Sequence, residues 1–218
     1  MKRRHFNVAM VLTLGGGAFL PVNAQKPKGT GATGPILVVG DSLSAEYGIR
    51  RGSGWVALLQ ERLQTQKVPA TVVNAGISGD TTSGGRSRLP ALLSQHKPAI
   101  VVIELGANDA LRGLPLTMTR ENLTDMVRQS RQAGARVLLV GMEMPPNYGA
   151  RYTQEFRDMF TSVAKAEKVP LVPFLLRGVA DAPDALSLFQ SDRIHPNEKA
   201  QPILLDNVWP ELRKLLQT

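Results

Sequence analysis

Apolar residues recur along this chain in two alternating rhythms. Short runs rich in Val, Ile and Leu fall at 36–39, 71–74, 99–105, 136–142 and 169–175, and they carry few charges, as expected of strands buried on both faces. Between them the spacing changes to that of helices. Trp55, Leu58, Leu59 and Leu63 form one apolar stripe, and Phe156, Met159, Phe160, Val163 and Ala164 form another. These aromatic and Met residues read as core. A third helix is expected over 119–133, with Leu123, Met126 and Val127 on one face and Gly134 just past its end. A helix is also expected to close near His96, before Lys97-Pro98. The last helix should begin near Asn197 and run through Ile203, Leu204, Val208, Leu212 and Leu215, with Pro202 early and a kink at Pro210. Strands separated by helices predict an α/β fold, a parallel sheet covered on both faces whose ligands bind outside the carboxyl ends of the strands.

The first 34 residues do not join this rhythm. Lys2, Arg3 and Arg4 precede an uncharged, mostly apolar stretch from Phe6 to Leu20, and Val22-Asn23-Ala24 places small residues where a signal peptidase reads them. Residues 1–24 are therefore expected to be a signal peptide, cleaved after Ala24, which makes the mature protein exported, periplasmic or secreted. Residues 25–34 read as a flexible lead-in rich in Gly, Thr, Lys and Pro. The run Gly29-Thr30-Gly31-Ala32-Thr33-Gly34 matches G-x-G-x-x-G but precedes the first strand, whereas a dinucleotide fingerprint must follow one. Residues 35–218 make a single domain, and no later segment is long and apolar enough for a membrane span.

Composition narrows the chemistry. Of 218 residues none is Cys, which removes disulfides, thiolate nucleophiles and Cys-based zinc sites. With 43% hydrophobic and 20% charged residues the chain is neither disordered nor fibrous. The formal net charge is +8, with three of the positive charges in Lys2, Arg3 and Arg4. The other Arg pairs, such as Arg50-Arg51, Arg86/Arg88 and Arg128/Arg131, are scattered, so a solvated face is expected and nucleic acid is not a partner.

The candidate chemistry gathers where strands end. The first strand runs into Gly40-Asp41-Ser42-Leu43-Ser44, the second ends at Asn74-Ala75-Gly76, and the third ends at Gly106-Ala107-Asn108-Asp109. Only three histidines exist. His5 lies in the signal segment, His96 reads as a helix-terminal cation, and His195 follows Asp192 at three residues in Asp192-Arg193-Ile194-His195-Pro196. A serine hydroxyl needs a neighbouring base, and that base works best when a carboxylate fixes its tautomer. Ser42, His195 and Asp192 fill those roles. The backbone N–H groups of Ser42 and Gly76 and the side-chain amide of Asn108 are the expected oxyanion donors. Asp41 and Asp109 are expected to buttress their turns. No G-x-S-x-G elbow and no H-E-x-x-H pair occurs.

These four blocks, in this order, resemble the signature of the SGNH (GDSL-type) hydrolases, over roughly residues 36–216. Within that family the chain is similar to the secreted or periplasmic arylesterase and acyl-CoA thioesterase I/lysophospholipase L1 group, through Ala45-Glu46-Tyr47-Gly48-Ile49, Asn74 to Thr82, Leu111-Arg112-Gly113 and Pro145-Pro146-Asn147-Tyr148-Gly149. The resemblance implies a flavodoxin-like three-layer α/β/α sandwich with a five-stranded parallel sheet, a monomer, and no cofactor or metal. It implies a serine hydrolase of carboxylic esters and thioesters working through an acyl-enzyme on Ser42. One departure is Arg193, where that group usually carries glycine. An apolar wall for the acyl chain is expected from Leu111, Met142, Met144, Pro145 and Tyr148, with Arg193 contributing substrate charge preference. The small-molecule substrate is thus an acyl ester or thioester. A carbohydrate-ester deacetylase of the same superfamily and a non-catalytic flavodoxin-like binding module are the alternatives.

Overall fold

The computed structural model describes residues 34–217. The expected signal peptide and nearly all of the lead-in lie outside the described residues. Five strands form one all-parallel sheet: β1 (Ile36–Gly40), β2 (Val72–Asn74), β3 (Ile100–Glu104), β4 (Arg136–Val140) and β5 (Leu171–Val172). Their spatial order is β2-β1-β3-β4-β5, the flavodoxin-like order of a doubly wound sheet. The sheet's centre is its driest part, since every residue of β1 and β3 is buried. That burial explains why these two strands read as continuous apolar runs.

Among the described residues there are six α-helices, most of them packed against the sheet. α1 (Trp55–Thr65) packs beside α6 (Gln201–Leu216), and α2 (Thr82–His96), α4 (Leu116–Gln132) and α5 (Ala150–Glu167) pack side by side; a short α3 (Ala107–Leu111) follows β3. The stripes anticipated from spacing face inward: Trp55, Leu59 and Leu63 on α1, Leu123, Met126 and Val127 on α4, and Phe156, Met159, Phe160, Val163 and Ala164 on α5 are all buried. Phe156 and Phe160 meet edge to face, with ring centroids 5.2 Å apart.

Several boundaries move for local reasons. β5 shrinks to two residues because Pro170 and Pro173 flank it and neither has an N–H for the ladder. β4 stops at Val140, and Gly141 then comes so close to β5 that a Cβ there would lie 2.5 Å from the Pro173 carbonyl oxygen. α4 begins at Leu116, three residues before the expected start. A 3-10 turn at Glu198–Ala200 occupies the expected start of the last helix, and α6 begins at Gln201, so that Pro202 sits in its first turn, where no N–H is needed. α6 continues through Pro210.

Candidate active site

The carboxyl edge of the sheet collects three loops, after β1, β2 and β3, and the chain returns to the same edge just before α6. β1 ends at Gly40, where any side chain would collide: a Cβ would lie 2.5 Å from Ser44 Oγ and 2.7 Å from Glu104 Oε2. The chain then turns sharply. Asp41 Oδ1 accepts the Leu43 N–H at 3.0 Å, and the Asp41 carbonyl accepts from Ser44 and Ala45. Ser42 is thereby presented, half-buried, at the crest of the turn.

The second half of the site arrives 153 residues later. His195 Nε2 lies 2.9 Å from Ser42 Oγ, and His195 Nδ1 lies 2.7 Å from Asp192 Oδ2. Asp192 Oδ1 accepts the backbone N–H groups of Ile194 and His195 at 2.9 and 3.0 Å. Burial pushes the Asp192 carboxyl upward, but those two N–H groups and the His195 ring outweigh it and hold the pKa at about 2. An ionised carboxylate only accepts, so Nδ1 carries the imidazole proton and Nε2 turns its lone pair toward the serine. That arrangement suits a base that removes the hydroxyl proton.

The three expected oxyanion donors are gathered at this edge in different states. Among the described residues the Ser42 N–H has no protein acceptor. The Gly76 N–H donates to Asn74 Oδ1 at 2.9 Å, and Asn74 Nδ2 reaches the Ser44 carbonyl at 2.7 Å. Glycine is required at 76 by this packing, because a Cβ would stand 2.9 Å from the Ala45 nitrogen. Asn108 lies in the first turn of α3, after Gly106 at φ +124, and its Nδ2 donates to the Asp80 carbonyl at 2.9 Å and to Asp41 Oδ2 at 3.1 Å. Both partners accept, which orients the amide with its nitrogen toward Asp41 and Asp80.

Below the serine two carboxyl groups are packed into the protein. Glu104 is fully buried; its Oε2 accepts from Ser44 Oγ at 2.7 Å and from the Asp41 N–H at 3.3 Å. Burial, reinforced by the Asp41 carboxylate, pushes Glu104 well above the usual range. Asp41 is 1% exposed, and burial lifts its pKa from 3.8 to about 6, against the Leu43 N–H, His195 and Asn108, which favour the charge, and with Asp80, which opposes it. Asp109 is likewise buried, but its oxygens accept from the Thr82 N–H and hydroxyl and from Thr119 Oγ1, so it ties α3 to the start of α2 and to α4. Arg88 pairs with Asp80 at 2.9 Å and donates to the Ala75 and Gly40 carbonyls, binding the second loop to the end of β1.

The expected substrate wall divides. Leu111 and Tyr148 are 47% and 37% exposed, and Pro145 is exposed beside Tyr148 on the loop after β4. Met142 and Met144 are only 6% and 8% exposed and belong to the main hydrophobic core, which corrects their place in an open wall: both side chains face inward, while Glu143 between them is partly exposed. Arg193 is exposed with φ +58, a left-handed conformation that favours glycine. On the other side of Gly76 and Ala45 opens a cleft of about 590 Å³, bounded by Ile49, Arg51, Val56 and Gln60. Ser42 and His195 do not line it. The residues that spacing alone did not single out are Tyr47, whose ring centroid lies 4.5 Å from that of His195, and Gln190, between the two loops. Their signal was their presence beside the recognisable blocks.

A doubly wound sheet with a Ser–His–Asp chain on its carboxyl edge, without an elbow of the α/β-hydrolase kind, defines an SGNH-type hydrolase. Residues 38–202 match the GDSL-like lipase/acylhydrolase family, and the chain belongs to that family. It is 52% identical over 181 residues to esterase TesA of Pseudomonas aeruginosa, covering 83% of this chain and 89% of that protein. It is 41% identical over 185 residues to thioesterase 1/protease 1/lysophospholipase L1 of Escherichia coli, covering 85% and 86%. The fold matches the psychrotrophic esterase EstA from a Pseudoalteromonas species, solved with monoethylphosphonate inhibition, at a TM-score of 0.79 and 40% identity over 85% of this chain and 100% of that one. The protein is thus an SGNH-type enzyme that hydrolyses acyl esters.

Proposed function

We propose that Ser42 is the nucleophile, His195 the general base and acid, and Asp192 the group that orients and stabilises the imidazole. The reading rests on one observation, the unbroken contact from Asp192 through His195 to Ser42 at 2.7 and 2.9 Å. His195 Nε2 takes the hydroxyl proton as Ser42 Oγ attacks the acyl carbon. The resulting oxyanion is met by the Ser42 N–H and draws the Asn108 N–H away from Asp41, with Gly76 as the third donor. Collapse expels the alcohol or thiol, which receives the proton from His195, and water repeats the sequence to release the acid. These steps balance without a cofactor.

The substrates are aryl esters, medium-chain acyl esters and thioesters, including the acyl-CoA and lysophospholipid types: two relatives are named arylesterase and thioesterase 1/protease 1/lysophospholipase L1, and the exposed apolar residues Leu111, Pro145 and Tyr148 offer an acyl chain a loose wall. Residues 1–24 direct export, and the mature monomer begins at Gln25. Among the described residues no helix is long and apolar enough to cross a membrane. A fluorophosphonate probe should add its mass to the peptide containing Ser42 and fail to label Ser42→Ala. Labelling elsewhere, with full activity in Ser42→Ala, refutes the assignment. Intact-mass analysis of exported protein checks the Gln25 terminus.

A further inference from the structure

The nucleophile and its base sit on loops far apart in sequence, so something must hold them at one distance. The side-chain amide of Gln190 lies between those loops, half-buried. Its Nε2 donates to the Tyr47 carbonyl at 2.8 Å and to the Pro196 carbonyl at 3.1 Å. Tyr47 belongs to the turn of the nucleophile, because its N–H donates to the Ser42 carbonyl at 3.3 Å, and Pro196 follows His195 directly. The backbone of Gln190 is tied to the same loop, its N–H donating to the His195 carbonyl at 2.8 Å and its carbonyl accepting from the Arg193 N–H at 3.0 Å. Space for the amide is made by Gly48, at φ +70, where a Cβ would fall 2.0 Å from Gln190 Oε1. The Tyr47 ring packs at a tilt on the His195 ring, with centroids 4.5 Å apart.

We infer that Gln190 is a positioning residue, whose amide clamps the Ser42 loop to the His195 loop and so sets the nucleophile–base contact. Both acceptors are carbonyls, so the clamp needs two N–H groups on one planar nitrogen, which no carboxylate and no thioether supplies. The effect falls on the rate of the chemical step and not on substrate affinity, because Gln190 acts through His195 and misplacement of reacting groups by about 1 Å costs roughly a hundredfold.

The inference rests on His195 being the base, and the test separates the two. Kinetic constants on a small aryl ester and melting temperatures are measured for Gln190→Met, Gln190→Glu, His195→Ala and the Gln190→Met/His195→Ala pair. The clamp predicts a ten- to hundredfold fall in kcat for both Gln190 variants, with KM within twofold of wild type, and no further loss when Gln190→Met is added to His195→Ala. Gln190→Glu keeps the shape of the side chain, so its rate loss stands even where Gln190→Met melts early. Unchanged kcat in Gln190→Glu, or a loss that multiplies fully onto His195→Ala, overturns the clamp. Wild-type activity in His195→Ala overturns the base assignment instead.

Discussion

Asp41→Asn isolates the energetic cost of the buried carboxyl beneath Ser42. In the folded protein burial raises the Asp41 pKa from 3.8 to about 6. The folded state therefore holds a proton that the unfolded chain releases, and stability falls as pH rises from about 4 to about 6. At about 1.4 kcal/mol per tenfold change in proton affinity, the cost above that window is about 3 kcal/mol. Asparagine cannot ionise, so the variant escapes this loss. It keeps an oxygen for the Leu43 N–H but turns a nitrogen toward Asn108 Nδ2, forfeiting one hydrogen bond, worth about 1 kcal/mol at every pH. The expected result is a variant about 1 kcal/mol less stable than wild type at pH 4 and about 2 kcal/mol more stable at pH 8. Urea unfolding of both proteins at both pH values, with equal m-values, measures the difference. A stability difference that does not move between pH 4 and pH 8 refutes the reasoning, because the argument depends on Asp41 carrying a charge in one range and none in the other. Esterase activity of the variant should fall, since two amide nitrogens now face one another at the oxyanion site; stability would then be gained where function is lost.

Asn108→Ala should lower kcat roughly a hundredfold with KM little changed, because its donor is needed most when the oxyanion forms; a pure KM effect in steady-state kinetics removes it from the oxyanion hole. Asp192→Asn should cost about a thousandfold or more in kcat while the fold persists, since an amide oxygen can still accept from Ile194 and His195 but no longer stabilises the imidazolium; near-wild-type turnover refutes the role. Wild-type Asp192, held at about 2, stays ionised throughout the pH range of an ordinary assay, so it contributes no acid loss of activity above pH 4; a carboxyl NMR titration of Asp192 with a midpoint above pH 4 contradicts this. Arg193→Gly should raise stability by about 0.5–1 kcal/mol in thermal unfolding, the relief of φ +58 exceeding the entropy glycine returns to the unfolded chain, with neutral esters cleaved as before; a lower melting temperature contradicts it. Activity across a series of acyl chain lengths should climb, at up to about 0.8 kcal/mol per buried methylene, and then fall; a sharp preference for acetylated sugars points to the deacetylase alternative.

What could be read from the chain and what could not follow from the range of the interactions involved. β1 and β3 declared themselves because both faces of a central parallel strand must be apolar, and Ser42, Asn108 and His195 because each sits in a short block whose spacing the backbone enforces locally. α2 was nearly silent beyond its His96 end: Gly84, Gly85 and Pro90 weaken any helical pattern, and Gly85 is there because Leu105 leaves no room for a Cβ. The Glu104 carboxyl, at the end of a run of Ile and Val, gave no sign that it would reach Ser44 and Asp41 across 60 and 63 residues. Met142 and Met144 misled because a chain leaving a strand can turn toward the core or the solvent, and composition does not distinguish the two. Gln190 stood beside the His195 block, but its contact was not legible for the same reason as that of Glu104, since its partner Tyr47 lies 143 residues away.

The distance in sequence between Ser42 and His195 has a consequence in time. A ribosome makes the nucleophile early, together with the turn that presents it, and makes the base only after the four strands that separate them have been added. Until residue 195 has emerged and docked, the growing chain carries a serine no more reactive than any other. The nascent protein is therefore chemically silent by construction. Its first turnover is a report that the segment before α6 has found its place against the loop after β1, and hydrolysis of a chromogenic ester during refolding would time that docking directly.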